Sequence, residues 1–145
     1  MTVGNSCRFL GVSKSTFGSE PYLITIGNHV TLTGDTRFIT HDGGVWVLRD
    51  KYKDLDCFGK ITIGNNVFVG LNSIIIPNTE VGDNVVIGAG SLVRGILESN
   101  FVYAGVPVRK VMTIEEYEKK ILEKSDSTKS FDSVEKRKYL VEKFK

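Results

Sequence analysis

Rare side chains are scarce in this chain, and each scarcity excludes something. There are two cysteines, Cys7 and Cys57, far apart in the sequence and without a second cysteine nearby. No C-x-x-C metal or redox pair can therefore form, and the expected state is two reduced thiols in a bacterial cytoplasmic protein, with a bridge between them left open. No apolar run approaches the roughly 18 residues that a membrane-spanning helix requires, and nothing resembles a signal peptide, so no membrane insertion is expected. Excess charge is also missing: 19 basic residues face 17 acidic ones. The basic residues neither cluster nor alternate with aromatics, which removes the electrostatic case for nucleic acid. What remains is ordinary. Hydrophobic residues make up 41% and charged residues 25% of 145 positions, the composition of one globular domain with room for a true core.

What is present is a repeat. In steps of six from Ile63 the chain reads Ile63, Val69, Ile75, Val81, Ile87 and Val93, all β-branched. Gly64, Gly70, Gly82 and Gly88 follow four of these leads. Three positions beyond the lead stand Asn66, Asn72, Asn78, Asn84 and Gly90, and the next residue is mostly small. The frame extends upstream through Ile26-Gly27, Leu32 and Phe38. Asn and Gly are the residues that accept a left-handed backbone, as a sharp corner demands. A short strand, a corner and another short strand make a coil around an axis, with each lead residue stacked on its counterpart in the next coil. A β-sandwich with regular turns is the alternative, but sandwich strands alternate and do not hold one frame through six repeats.

These motifs, with "ITIGNNVFVGLNSIIIPNTEVGDNVVIGAGSLVRG" and the ending "VYAGVPVRKV", resemble the hexapeptide-repeat acyltransferases. The similarity is greatest to galactoside, maltose, streptogramin, chloramphenicol and surface-polysaccharide O-acetyltransferases. It spans about Val3 to Val111. The resemblance implies a mainly β fold, a left-handed parallel β-helix over residues 1–111. An excursion loop at 43–60 and a helical extension at 112–145 complete the expected organisation. Val3-Gly4-Asn5 reads as a hexad already inside the helix, and "FGSEPY" (Phe17 to Tyr22) as a turn.

Both histidines, His29 and His41, lie three residues after a lead residue, so the frame makes each a candidate corner residue. Their downstream neighbours differ. The repeat continues at Leu32 after His29, but after His41 it fails until Ile61 to Ile63. A histidine at the root of a loop on a rigid scaffold is positioned for chemistry. In the resembling enzymes the catalytic histidine stands at this point. His41 is thus the candidate general base, removing a hydroxyl proton as the oxygen attacks a thioester; imidazoles ordinarily titrate near pH ~6.5 and suit this task. Asp42 is a candidate to orient the ring, or a turn residue ahead of Gly43-Gly44. Glu20, in "GSEP", could orient His41, hold an acceptor hydroxyl, or serve the turn. Trp46 lies in an alternating Val45-Trp46-Val47 run that could form a β-arm, and its ring could carry an acceptor or pack on another subunit. The loop around Trp46 and Asp50 is expected to decide the acceptor.

Further assignments come from the resemblance alone. The oxyanion donor is the backbone amide of Leu71, which follows "VFVG". Acetyl-CoA is the co-substrate, contacting Gly88, Ala89, Gly90, Ala104 and Gly105, with Arg109 and Lys110 near its phosphates. Arg94 stands where many relatives have Thr-Lys-Asp after the aliphatic pair and is the candidate replacement charge. The expected assembly is a homotrimer with sites between subunits. Outward Phe68, Leu71 and Ile74 fit such an interface, and Phe68 is also a candidate acceptor contact.

The tail reads as two helices. Thr113 is the N-cap and Glu116 the capping-box partner of the first. The second lies near Val134 to Phe144, where Val134, Val141 and Phe144 could form an apolar face. From Thr113 onward nine Lys/Arg balance eight Asp/Glu, consistent with a solvated face or with docking on the helix end or a neighbour.

The expected activity is acetyl-CoA-dependent O-acetylation of a saccharide hydroxyl, as in a surface polysaccharide or sugar precursor. N-acetylation of a nucleotide-linked amino sugar, or acetylation of an antibiotic, are the enzymatic alternatives. A zinc-dependent carbonic anhydrase on the same fold needs three histidine ligands, one more than the chain holds. A non-catalytic β-helix scaffold gives no reason for a His-Asp pair where the repeat breaks.

Overall fold

The computed structural model describes all 145 residues. Its strands lie on three flat faces of a prism, as a left-handed parallel β-helix requires. The first face stacks Thr2–Val3, Ile24–Ile26, Ile61–Ile63, Thr79–Val81 and Ile96–Leu97. The second stacks Arg8–Phe9, Val30–Leu32, Val67–Val69, Val85–Ile87 and Phe101–Ala104, and the third Arg37–Phe38, Ile74–Ile75 and Leu92–Val93. Every pairing among these is parallel. Partners such as Asn65 and Asp83 are 18 residues apart, three hexads to a coil.

The lead residues do what their spacing predicts. Ile26, Leu32, Phe38, Ile63, Val69, Ile75, Val81, Ile87 and Val93 are all no more than 2% exposed. Each stacks on its counterpart along the axis, and full burial of one such side chain contributes about 1.5–3 kcal/mol. The corner residues His29, Asn66, Asn72, Asn78 and Asn84 have φ between 55° and 61°, the left-handed conformation. Along one corner their side chains also form a ladder: His29 Nδ1 to Asn66 Oδ1, Asn66 Nδ2 to Asn84, and Asn84 Nδ2 to Asn100, each at 2.8–2.9 Å.

The frame is interrupted twice, at the same corner. Ile26 pairs with Ile63, and residues so paired are 37 apart instead of 18; the surplus is the loop after His41. Val3 pairs with Ile26, where the separation is 23; this smaller surplus precedes Glu20. Both segments leave the coil between the third face and the first. The earlier one turns through short 3₁₀ segments at Lys14–Thr16 and Pro21–Leu23. It is anchored by Phe17, whose ring lies 5.9 Å from Phe9 and 5.5 Å from Phe38.

One expectation needs correction here. Val45-Trp46-Val47 is not a β-arm, because Gly43–Leu48 coils into a 3₁₀ helix. The Asp42 carboxylate caps it by accepting from the Gly44 N–H at 2.8 Å, and an isolated arm would have no partner strand to satisfy its backbone. His41 stands at its corner without turning it as His29 does: it lacks the positive φ that His29 adopts and instead bridges Phe58 in antiparallel fashion.

At the C-terminal end Arg109–Thr113 runs antiparallel along Phe101–Ala104 and covers the edge of the second face. Helix α1, Ile114–Leu122, begins with the Thr113/Glu116 capping box read from the sequence. Helix α2, Ser133–Lys143, is capped by Asp132. Its Tyr139 hydroxyl and Lys143 ammonium both reach Asp126 Oδ1, at 2.6 and 2.5 Å. These bonds hold the Asp126 carboxyl below the ordinary range and raise Tyr139 and Lys143. Val134, Val141 and Phe144 are exposed.

Candidate active site

The loop that follows His41 is pinched at its base. Asp42 N–H donates to Cys57 C=O at 2.9 Å, and Gly59 N–H donates to Thr40 C=O at 2.8 Å. His41 sits in this neck, with the Phe58 ring edge-on at 6.4 Å. From the other interruption comes Glu20. Its Oε2 accepts from Thr40 Oγ1 at 2.7 Å and is 2.9 Å from His41 Nδ1. These two hydrogen bonds, the histidine's foremost, hold the Glu20 carboxyl below its ordinary range.

An ionised carboxylate can only accept. Nδ1 of His41 therefore carries the hydrogen, and the lone pair of the neutral ring lies on Nε2, which makes no hydrogen bond within the chain. The tautomer is thus set by Glu20. His41 borders a cavity of about 280 Å³, lined by Trp46, Arg49, Asp56 and Phe58 among others. A second cavity of about 480 Å³ is also bordered by His41, together with Ile39, Ile76, Pro77 and Asn78.

The structure brings some predicted residues together and separates others. Glu20 and His41 meet. Asp42 borders the cavity, but its carboxylate oxygen is taken by Gly44 N–H, so the ring is oriented by Glu20 and not by Asp42. Trp46 borders the cavity with 75% of its surface exposed. Asp50 is exposed and stands outside the lining; its neighbour Arg49 points in, bonded to Asp56 Oδ1 at 2.6 Å. Phe68 lies on the second face beside His29 and Ile114, away from His41. Thr40, Arg49, Asp56 and Phe58 escaped the sequence reading. Only the pinch at the loop's base reveals them, and no repeat position marks it.

The residues assigned to the coenzyme fall on two edges. Leu71, Gly88, Ala89, Gly90, Ala104 and Gly105 share the corner between the second and third faces. There Gly90 N–H donates to Leu71 C=O at 2.7 Å, and Gly105 N–H donates to Ser91 Oγ at 3.2 Å. Leu71's own N–H has no partner within the chain, and a side chain at Gly90 would meet nothing within 4 Å. That edge offers open backbone to a long amide-bearing arm. Arg109, paired with Ala104, ends beside it. Arg94 instead follows Val93 at the corner on His41's edge. Lys110 is diverted: its ammonium lies 2.8 Å from Glu98 Oε2 and 4.0 Å from the centre of the Phe101 ring. One hexad of strand, roughly 20 Å at ~3.3 Å per residue, separates the Leu71 corner from the His41 corner of the same coil.

Residues 60–95 match the family model "Bacterial transferase hexapeptide (six repeats)". CapG of Staphylococcus aureus is 57% identical over 143 residues, covering 99% of this chain and 83% of CapG. The chain belongs to the hexapeptide-repeat acyltransferases. Galactoside O-acetyltransferase of Escherichia coli is 37% identical over 100 residues, 69% of this chain and 49% of that protein. The solved maltose O-acetyltransferase of Clostridium difficile superposes with a TM-score of 0.59 at 31% identity, over 77% of this chain and 57% of that one. The chain therefore spans about half the length of these last two relatives.

Membership of the hexapeptide-repeat family makes the protein an acyltransferase, and the galactoside and maltose relatives are acetyltransferases. No helix is long and apolar enough to cross a membrane. Cys7 and Cys57 are both free thiols.

Proposed function

We propose that this protein transfers an acetyl group from acetyl-CoA to a hydroxyl of a saccharide, a surface polysaccharide or its sugar precursor, by direct transfer with His41 as general base. The observation that carries the reading is the Glu20–His41 pair, which leaves Nε2 without a partner in the chain, beside a cavity that an exposed tryptophan also borders. The names of two relatives, a galactoside and a maltose O-acetyltransferase, support a saccharide acceptor. Because acetyl-CoA is a cytoplasmic metabolite, the reaction is assigned to the cytoplasm.

His41 Nε2 accepts the acceptor's hydroxyl proton as the oxygen attacks the thioester carbonyl carbon. Glu20 stabilises the resulting imidazolium. The tetrahedral oxyanion needs a preorganised donor, and the unengaged Leu71 N–H is that donor. The intermediate collapses with cleavage of the carbon–sulfur bond, and the proton on Nε2 passes to the departing thiolate. Since His41 and Leu71 occupy different corners of one prism, the donor comes from a second copy. A closed cyclic trimer supplies one such junction per protomer, and exposed Leu71 at the corner and Ile74 on the third face suit the contact. The coenzyme then lies between the Gly88–Gly90 edge of one copy and the His41 edge of the next, with Arg94 and Arg109 at its phosphate end.

The test is thiol release from acetyl-CoA across a panel of saccharide acceptors, for the wild type and His41→Ala. General-base removal lowers turnover by about 10²–10⁴-fold, with the oligomer intact. Wild-type turnover by the variant would refute the assignment.

A further inference from the structure

We infer that the sugar residue seated beside His41 carries no negative charge, and that the Arg49–Asp56 ion pair enforces this selection; the inference rests on the acetyl-transfer reading of the same site. The cavity is lined by three carboxylates, those of Glu20, Asp42 and Asp56, and by a single permanent cation, Arg49. That cation is already spent. Arg49 NH2 bonds Asp56 Oδ1 at 2.6 Å and NH1 donates to the Lys53 carbonyl at 3.1 Å, so two arms of its donor fork are occupied and its charge is neutralised in place. Recognition of a sugar carboxylate or phosphate calls for a free guanidinium or ammonium aimed at it, and the cavity has neither.

What the cavity does offer suits an uncharged pyranose. Trp46 presents an indole that is 75% exposed, and Phe58 is 51% exposed, giving apolar faces for the C–H side of a sugar ring. Carboxylate oxygens around them accept hydrogen bonds from hydroxyls. A second copy does not alter the balance. The corner it would bring level with His41, Thr33–Thr36 and Gly70–Ser73, contains one charged residue, Asp35, and no Lys or Arg.

Trp46 is the only tryptophan, so its fluorescence reports acceptor binding without turnover. The full-length protein is titrated with methyl hexosides and the matching methyl hexuronosides, and acetyl transfer is measured on the same pairs. The wild type should bind the uncharged member of a responding pair at least ~10-fold more tightly. Asp56→Asn frees Arg49 and should narrow that ratio about fivefold or more, while Asp56→Asn with Arg49→Gln restores the rejection; Trp46→Phe removes the signal. Equal or tighter binding of a hexuronoside by the wild type overturns the inference, as does an unchanged ratio in Asp56→Asn or no response to any pair. Efficient acetylation of hexuronosides would overturn it while upholding acetyl transfer. Charge-selective binding without turnover on any sugar would uphold it and overturn acetyl transfer.

Discussion

Glu20 Oε2 lies 2.9 Å from His41 Nδ1, although the two residues belong to different coils. They meet because both breaks in the hexad frame leave the prism at one corner. The same carboxylate oxygen takes the Thr40 hydroxyl at 2.7 Å, so ring and carboxylate are fixed together at the root of the loop. The geometry of the pair is a product of where the repeat fails.

Glu20→Gln should keep the fold and lower kcat by about 10–100-fold with little change in either KM. Glutamine can still accept a hydrogen bond, but it neither enforces the Nδ1–H tautomer nor stabilises the imidazolium formed as the hydroxyl proton is taken. Steady-state kinetics with acetyl-CoA and a competent acceptor check this. A loss confined to acceptor KM would mean that Glu20 holds the acceptor instead.

Stability should depend on pH through the same carboxylate. Glu20 titrates lower in the folded protein than the ordinary 4.5, so below that value the unfolded chain binds the proton first. Its stabilising contribution is complete above pH ~4.5, shrinks as the pH falls toward the lowered folded value, and is gone below it. The Tm difference between wild type and Glu20→Gln should track that course. A difference that grew as the pH dropped would contradict the linkage.

Hexad spacing carries most of this fold: buried leads, Asn corners and the tail's capping box are all legible, since each is a local rule repeated. The site was legible only in part. His41 could be singled out by the break after it, but its geometry could not, because His29 occupies the same position in the frame and does turn a corner. Asp42, by adjacency, and Glu20, from its turn, are both candidates to orient the ring; a 3₁₀ turn claims the Asp42 carboxylate, and Glu20 reaches the ring from the other interruption. Arg49 and Asp56 were hidden because a loop without a repeat has no register from which to read its inward side.

The stacked glycines set a steric limit that is independent of chemistry. A Cβ at Gly64 would lie 2.6 Å from Asp83 Oδ1 and 2.7 Å from the Gly82 carbonyl carbon, whereas at Gly43 it would meet nothing within 4 Å. Gly64→Ala must therefore push successive coils apart, at about 1–3 kcal/mol, or roughly 3–10 °C in Tm. Gly43→Ala should leave the melting temperature nearly unchanged. Thermal melts of the two variants test the stacking directly, and equal melting would mean that the coils can slide to accommodate the methyl group.

A site shared between copies makes a prediction that neither residue makes alone. Leu71→Ala keeps the backbone donor and should hold kcat within about threefold, whereas Leu71→Pro deletes the N–H and should cost about 10²–10³-fold, the usual loss for one oxyanion donor. Leu71 C=O still accepts from Gly90 N–H in either variant, and size-exclusion chromatography checks that both assemble. His41→Ala and Leu71→Pro homo-oligomers are then each nearly inactive. Unfolded together and refolded as a mixture, they should regain activity, because some junctions pair an intact His41 from one copy with an intact Leu71 N–H from the next. If both groups served one site within a single chain, every junction would lack one of them, and mixing would restore nothing.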